Sequence, residues 1–206
     1  LKDKLFLITN LNLVNENYLN TISQALVGGV DAVVLREKEL PAKELYSLAL
    51  KVREITHAKG KRLIINDRVD VAEAVGADGV QLGQHSLSPK AARKACSSKM
   101  LLGASVHSIE EAKVAVKEGA DYLLVSHIFP TQCKPGVIPK GLKLLQDISV
   151  MWEIPLVALG GISASNLDQI TTIGCSNVAV MSAIMASKKP LEVSKQIKSQ
   201  LQENAR

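Results

Sequence analysis

Short apolar runs alternate with longer stretches whose apolar residues recur at three- and four-residue steps, almost from one end of the chain to the other. Leu5 to Ile8 is the first run and stops at Thr9. Ile22, Ala25 and Leu26 then recur at helical spacing up to Gly28-Gly29, and Ala32 to Leu35 follows as a second run. Pro41 opens an amphipathic helix with Leu45, Leu48, Ala49, Val52 and Ile55 on one face, which Gly60 closes. The same alternation gives a strand at Leu63 to Ile65, a helix at Val69 to Val75 and a strand at Val80 to Leu82. Ser88-Pro89 is an N-cap followed by a proline at the first helical position, so a helix runs toward Cys96. A strand from Leu101 to Ser105 precedes a helix with a Ser108/Glu111 capping box. Tyr122 to Val125 is a buried strand, Leu142 to Ile148 is weakly helical, and Leu156 to Leu159 is a strand. Ser165 with Asp168 is expected to cap a helix carrying Leu167, Ile170 and Ile173. Val178 to Val180 is the last strand, before a helix from Pro190 with Val193, Ile197 and Leu201 inward.

A helix-stopping glycine, a short polar residue and a strand start recur at Gly29-Val-Asp31, Gly76-Ala-Asp78, Gly119-Ala-Asp121 and Gly174-Cys-Ser176. Each interval holds about two strand-helix units, so four of them make a single (β/α)8 TIM barrel over residues 1–206. A doubly wound α/β sheet would show the same alternation, because periodicity does not reveal closure.

Composition narrows the classes. With 47% hydrophobic and 22% charged residues and no apolar run near the ~20 needed for a membrane helix, the chain reads as globular. No signal-peptide pattern occupies Leu1 to Asn10, and Cys96, Cys133 and Cys175 are odd in number and widely spaced, which points to a cytoplasmic protein without a disulfide framework. The net charge of +5 favours an anionic partner, yet aromatic residues are 3% and basic ones are scattered, so a small phosphorylated ligand fits better than nucleic acid. Self-association into a homo-oligomer stays open.

In a barrel, the loops after the strands meet at one mouth. That mouth would gather Thr9, Arg36, Lys38, Asn66, Asp67 and Gln84 from the first half of the chain, and Ser105, His107, His127, Thr131, Lys134 and Ser182 from the second. Charge immediately after a buried strand, as in Arg36-Glu37-Lys38, suits anion binding. Gly160-Gly161 and Ser182 follow the seventh and eighth strands, where barrels often hold phosphate. Asn66-Asp67 suits either a helix cap or a ligand. His57 reads as a surface residue, whereas His127 follows a buried strand and could exchange protons near neutrality. The histidines lack close metal-ligand spacing.

Leu35-Arg-Glu-Lys38, Ile65-Asn-Asp-Arg-Val-Asp70, Gly76 to Gln84, Phe129-Pro-Thr131 with Lys134, and Ala158-Leu-Gly-Gly-Ile162 together resemble the thiamine phosphate synthase and TenI superfamily. Synthases of that family join a pyrimidine diphosphate to a thiazole phosphate with magnesium. The resemblance implies that Arg36, Lys38, Asn66 and Lys134 hold the diphosphate, that Asp67 binds the metal, and that Gly161 and Ser182 hold the thiazole phosphate.

Two departures shift the expected activity. Ser86 stands where the synthase pattern has a second magnesium-binding aspartate, and a hydroxyl is a poor substitute for a carboxylate on a hard dication. Ser126-His127 stands where that pattern has Gly-Pro, and Ser-Val-His-Ser at 105–108 with Cys133-Lys134 is similar to the TenI branch. The expectation is therefore an isomerase, a thiazole tautomerase that aromatises a phosphorylated thiazole carboxylate through His127 without metal or other cofactor. The alternatives are thiamine phosphate synthase with magnesium on Asp67, and a non-catalytic regulator that binds thiazole or thiamine phosphate.

Overall fold

The computed structural model describes residues 4–14, 17–131 and 136–203. Its strands are β1 (Leu5–Ile8), β2 (Ala32–Leu35), β3 (Arg62–Asn66), β4 (Gly79–Leu82), β5 (Leu101–Val106), β6 (Tyr122–Ser126), β7 (Leu156–Leu159) and β8 (Val178–Val180). Between and after them lie α1 (Tyr18–Val27), α2 (Ala42–Ala58), α3 (Val69–Ala74), α4 (Pro89–Ala95), α5 (Ile109–Lys117), α6 (Gly141–Met151), α7 (Leu167–Thr171), α8 (Ser182–Met185) and α9 (Pro190–Glu203). Neighbouring strands pair in parallel, and β8 returns to β1 with Leu5 opposite Val178 and Phe6 opposite Ala179. The sheet is thus a closed barrel in the order β1 to β8, and the doubly wound alternative falls away.

Alternation along each strand divides the apolar residues between two cores. Phe6, Ile8, Ala32, Val34, Ile64, Tyr122, Leu124, Val157 and Ala179 point inward and fill the barrel. The residues that alternate with them, such as Leu5, Val33, Ile65, Leu123 and Val178, pack outward against the helices. The strands read as continuous apolar runs because both faces are covered.

The recurrent short polar residue has a structural cause. Asp31, Asp78 and Asp121 each immediately precede an even-numbered strand and accept a backbone N–H from the first two residues of the strand before it, from Leu5 (3.0 Å), Leu63 (2.7 Å) and Leu102 (2.7 Å). Each carboxylate also meets a cation: Lys198, Arg53 and Arg93 respectively. In the fourth repeat the work falls to Asn177, which accepts from the Lys4 N–H and donates to the Leu156 carbonyl. These ties sit at the amino ends of the strands, the end of a barrel that carries stability.

Local expectations hold with a few shifts. Ser88 and Ser108 cap α4 and α5. The cap of α7 is Asn166 rather than the expected Ser165/Asp168 pair; its side chain accepts from Ser163 N and donates to the Gly161 carbonyl, so it braces a loop instead of a helix end. The short helix α8 and a 3-10 turn at Leu11–Leu13 carry no periodic signal at their length. No helix of the described residues is long and apolar enough to cross a membrane.

Candidate active site

The same alternation decides which polar side chains reach the mouth. Val34, Ile64 and Leu124 face the barrel interior, so Arg36, Asn66 and Ser126, two residues further on, face the space above it. In β5, Leu102, Ala104 and Val106 pack outward, which turns Ser105 inward and sends His107 toward the same space.

On the β2 side, Arg36 is half-buried and Lys38 exposed. Between them Glu37 points the other way and is 8% exposed. Its carboxylate accepts from Thr9 Oγ1 (2.7 Å), Tyr18 Oη (2.7 Å) and the Leu11 N–H (2.9 Å), while Thr9 Oγ1 accepts from the Arg36 N–H (3.0 Å). Burial first, and then the Glu37 charge, pushes the Tyr18 phenol far up, so it stays a donor. Thr9 therefore belongs to a latch that fixes the backbone of Arg36 and does not face the mouth.

Beyond β3, Asp67 adopts a left-handed backbone (φ 63°). One of its oxygens accepts from Asn66 Nδ2 (2.7 Å), and the other accepts from the Gly83 N–H (3.2 Å) and the Ser86 hydroxyl. Ser86, which stands where the synthase pattern has a second aspartate, thus touches the Asp67 carboxylate. Among the described residues no group of three or more His, Cys, Asp or Glu side chains is gathered for a metal.

On β5 and β6 two polar chains run under the mouth. Tyr122 Oη donates to Gln81 Oε1 (2.7 Å), and Gln81 Nε2 donates to Ser105 Oγ (3.0 Å). Separately, Ser126 Oγ lies 3.1 Å from His107 Nε2, and His107 Nδ1 lies 3.1 Å from Glu111 Oε2. Glu111 also accepts from the His107 N–H (2.8 Å) and from Gln84 Nε2 (2.8 Å). Burial alone would raise the Glu111 pKa, but these hydrogen bonds outweigh it and bring it below the ordinary value.

His127 is placed differently from the expectation. It is 2% exposed, its Nε2–H donates to the Val137 carbonyl (3.2 Å), and its carbonyl accepts from Lys140 N (2.9 Å). Its side chain lies over Gly160, where an added Cβ would come within 2.3 Å of the His127 Cβ. Gly161 (φ 65°) is packed in the same way beneath Phe129 and Pro130, a Cβ there falling 2.4 Å from the Pro130 carbonyl oxygen. The paired glycines are therefore required by close approach of the loop after β6, whatever ligand they also serve. Thr131 follows that contact and is half-buried, and Ser182 begins α8, exposed. Lys134 and Cys133 lie outside the described residues.

Sequence reasoning missed Ser126, Gln81, Tyr122 and Glu111. The signal was present in part: Ser126 stands two residues beyond Leu124 and shares its inward face, whereas His127 does not.

A family model described as thiamine monophosphate synthase matches residues 5–184. A thiamine-phosphate synthase of Methanobrevibacter smithii is 42% identical over 186 residues, covering 90% of this chain and 89% of that protein. One from Pyrococcus horikoshii is 40% identical, covering 91% and 89%. A solved thiamine phosphate pyrophosphorylase from Pyrococcus furiosus superposes with a TM-score of 0.89 at 36% identity, over 98% of this chain and 96% of that one. A 3-hexulose-6-phosphate synthase at 19% identity and a TM-score of 0.70 shares the fold alone. These relatives overturn the isomerase assignment: the proteins this chain is similar to are named as synthases, which are transferases, and the tautomerase reaction expected of His127 goes with it.

Proposed function

The chain belongs to the thiamine monophosphate synthase family, and we propose that it is a thiamine phosphate synthase, condensing a pyrimidine-methyl diphosphate with a thiazole phosphate and releasing diphosphate. The observation that carries this reading is the consistent naming of its relatives over nearly the whole chain. The distribution of charge around the mouth supports it.

In this reaction the thiazole ring nitrogen forms a bond to the carbon that bears the diphosphate. The carbon–oxygen bond breaks, and its electron pair leaves on the diphosphate. What this asks of the protein is to hold two anions on opposite sides of one opening, with the reacting atoms between them. Arg36 and Asn66, facing the mouth from β2 and β3, with Lys38 on the rim, are placed for the diphosphate. The backbone after β7 at Gly160-Gly161 and Ser182 after β8 are placed for the thiazole phosphate, roughly across the barrel. Lys134 joins the diphosphate set by the family resemblance. Guanidinium and ammonium groups stabilise the departing diphosphate more as its charge grows, which is where such groups accelerate a reaction.

The residues present fit magnesium in a limited way. Mg²⁺ is commonly held by one or two protein carboxylates together with substrate phosphates and waters. Asp67 supplies one carboxylate, oriented by Asn66, Gly83 and Ser86, and Ser86 supplies a neutral oxygen beside it. When bound there, the ion would neutralise charge on the diphosphate.

The test is incubation of the purified protein with both substrates and magnesium, following diphosphate release and the thiazolium product. Release of diphosphate with condensed product is the expected result. Binding of either substrate without turnover would replace the synthase by the regulator reading.

A further inference from the structure

The carboxylate of Asp67 is aimed by a turn it does not belong to. The Gly83 N–H is shared between Asp67 Oδ1 (3.2 Å) and Ser86 Oγ (2.6 Å), the Ser86 hydroxyl donates to the same Asp67 oxygen, and the Ser86 N–H closes the turn on the Gly83 carbonyl (3.2 Å). Approach is close enough that a Cβ on Gly83 would stand 3.3 Å from Asp67 Oδ1. Wherever the turn 83–86 stands, that oxygen follows it.

Burial does not hold the turn, because Gln84, His85, Leu87 and Ser88 are all exposed. Among the described residues, the side chain of the turn that reaches beyond Asp67 is Gln84, whose Nε2 donates to Glu111 Oε1 (2.8 Å). Glu111 is itself fixed in the first turn of α5: its N–H donates to Ser108 Oγ (3.1 Å), and its Oε2 accepts from the His107 N–H (2.8 Å). A carboxylate only accepts, and an amide nitrogen or a backbone N–H only donates, so the direction of each of these bonds is independent of the tautomer of the His107 ring. A charged acceptor also makes the Gln84 bond stronger than one between neutral groups. The path from α5 through Glu111 and Gln84 to the turn, and from the turn to Asp67, therefore ties together the loops that follow β5, β4 and β3.

We propose that Glu111, acting through Gln84, is a positioning residue for Asp67, fixing the turn that orients this carboxylate for the magnesium that accompanies diphosphate. The magnesium rests on the synthase reading; the path rests on the hydrogen bonds. With a single carboxylate offered to the ion, its orientation carries more of the binding than it would in a site with two. Neither Glu111 nor Gln84 needs to touch the ion or the diphosphate. Their loss should therefore weaken the part of diphosphate binding that depends on magnesium and spare the part that does not.

The experiment is isothermal titration of the protein with inorganic diphosphate, once in magnesium chloride and once in EDTA. The wild type should bind at least roughly tenfold more tightly with magnesium. Gln84→Ala and Glu111→Ala should each cut that gain below about threefold while leaving the Kd in EDTA within about twofold of the wild type. The double variant should lose no more than either single one, because the two side chains form one link. Glu111→Gln, whose amide oxygen can still accept from Gln84, should keep a gain of about fivefold. Gln84 is exposed, so Gln84→Ala carries the test even where Glu111→Ala loosens the start of α5. A wild-type gain under about threefold, a gain that Gln84→Ala leaves unchanged, or equal losses in magnesium and in EDTA would each overturn the proposal. Supplying both synthase substrates separates the two ideas: a Gln84-dependent gain without condensation removes the synthase and keeps the positioning role, and condensation with a gain indifferent to Gln84 removes the positioning role and keeps the synthase.

Discussion

Replacing Gly161 by alanine tests what the glycine pair after β7 is for. Its φ of 65° lies in the left-handed region, where a side chain costs about 1–2 kcal/mol. The new Cβ would also stand 2.4 Å from the Pro130 carbonyl oxygen and 2.9 Å from the Phe129 Cβ, distances that require the backbone of 129–130 to move. That segment is fastened to the glycine loop by Ile128 N to the Leu159 carbonyl (2.9 Å) and Phe129 N to the Gly160 carbonyl (3.0 Å). Loss of one or both adds about 0.5–1.5 kcal/mol each, so the total is about 2–5 kcal/mol. For a chain of this size the melting temperature should fall by roughly 4–20 °C. The decisive assay is thermal denaturation without any ligand, followed by KM for the thiazole phosphate. If the glycine served only to let an anion approach, KM would rise with the ligand-free melting curve unmoved. A ligand-free shift under about 2 °C would refute the packing argument.

Four further outcomes are expected. Ser86→Asp places a second carboxylate beside Asp67 and should lower the magnesium concentration for half-maximal turnover by roughly tenfold; an unchanged titration would mean that the ion binds elsewhere. His127→Asn removes a donor to Val137 and should cost about 1 kcal/mol of stability while leaving kcat within about threefold, so a hundredfold loss in steady-state kcat would return His127 to the chemistry. Glu37→Gln should raise KM for the diphosphate substrate through the Thr9 and Arg36 backbone without altering kcat for saturated enzyme, and an unchanged KM would leave the latch purely structural. At Asp31 burial acts to raise the pKa, but the hydrogen bond from Lys198, that from the Leu5 N–H and the Lys198 and Lys61 charges bring it below its ordinary value. A depressed folded pKa gives stability that is whole above about pH 4 and lost as pH falls through the folded value. Asp31→Asn should therefore lose stability at pH 7 and flatten the acid limb in urea denaturation; equal stability loss at pH 7 and pH 2 would contradict this.

The barrel was legible because its signal is repeated: each strand is a bounded apolar run, each helix has its own stripe, and glycines separate them. The aspartates of the repeat were visible as a pattern, but their partners are the amide hydrogens of other strands, and no sequence spacing reveals those. At the site, Arg36 and Asp67 directly follow strands and Asn66 ends one, so strand direction alone brings them to the mouth. His127 also follows a strand, but neighbouring residues face opposite ways: Ser126 takes the inward position of Leu124, and His127 packs against Gly160 and the Val137 carbonyl. The networks of Gln81 with Tyr122, and of His107 with Glu111, join residues from different strands and helices. They become visible only once the register of β4, β5 and β6 is known. Ser86 and His127 depart from the synthase pattern and point toward an isomerase, whereas the relatives that match over nearly the whole chain are named as synthases.

The filled interior has a consequence for traffic. Phe6 and Tyr122, with ring centres 5.9 Å apart, lie across the barrel below the mouth, and Gly103 has no side chain because the Tyr122 ring occupies its place. With Leu124, Val157 and Ala179 alongside, all 2% exposed or less, the described residues leave no passage through to the far end. Whatever enters must leave by the same door.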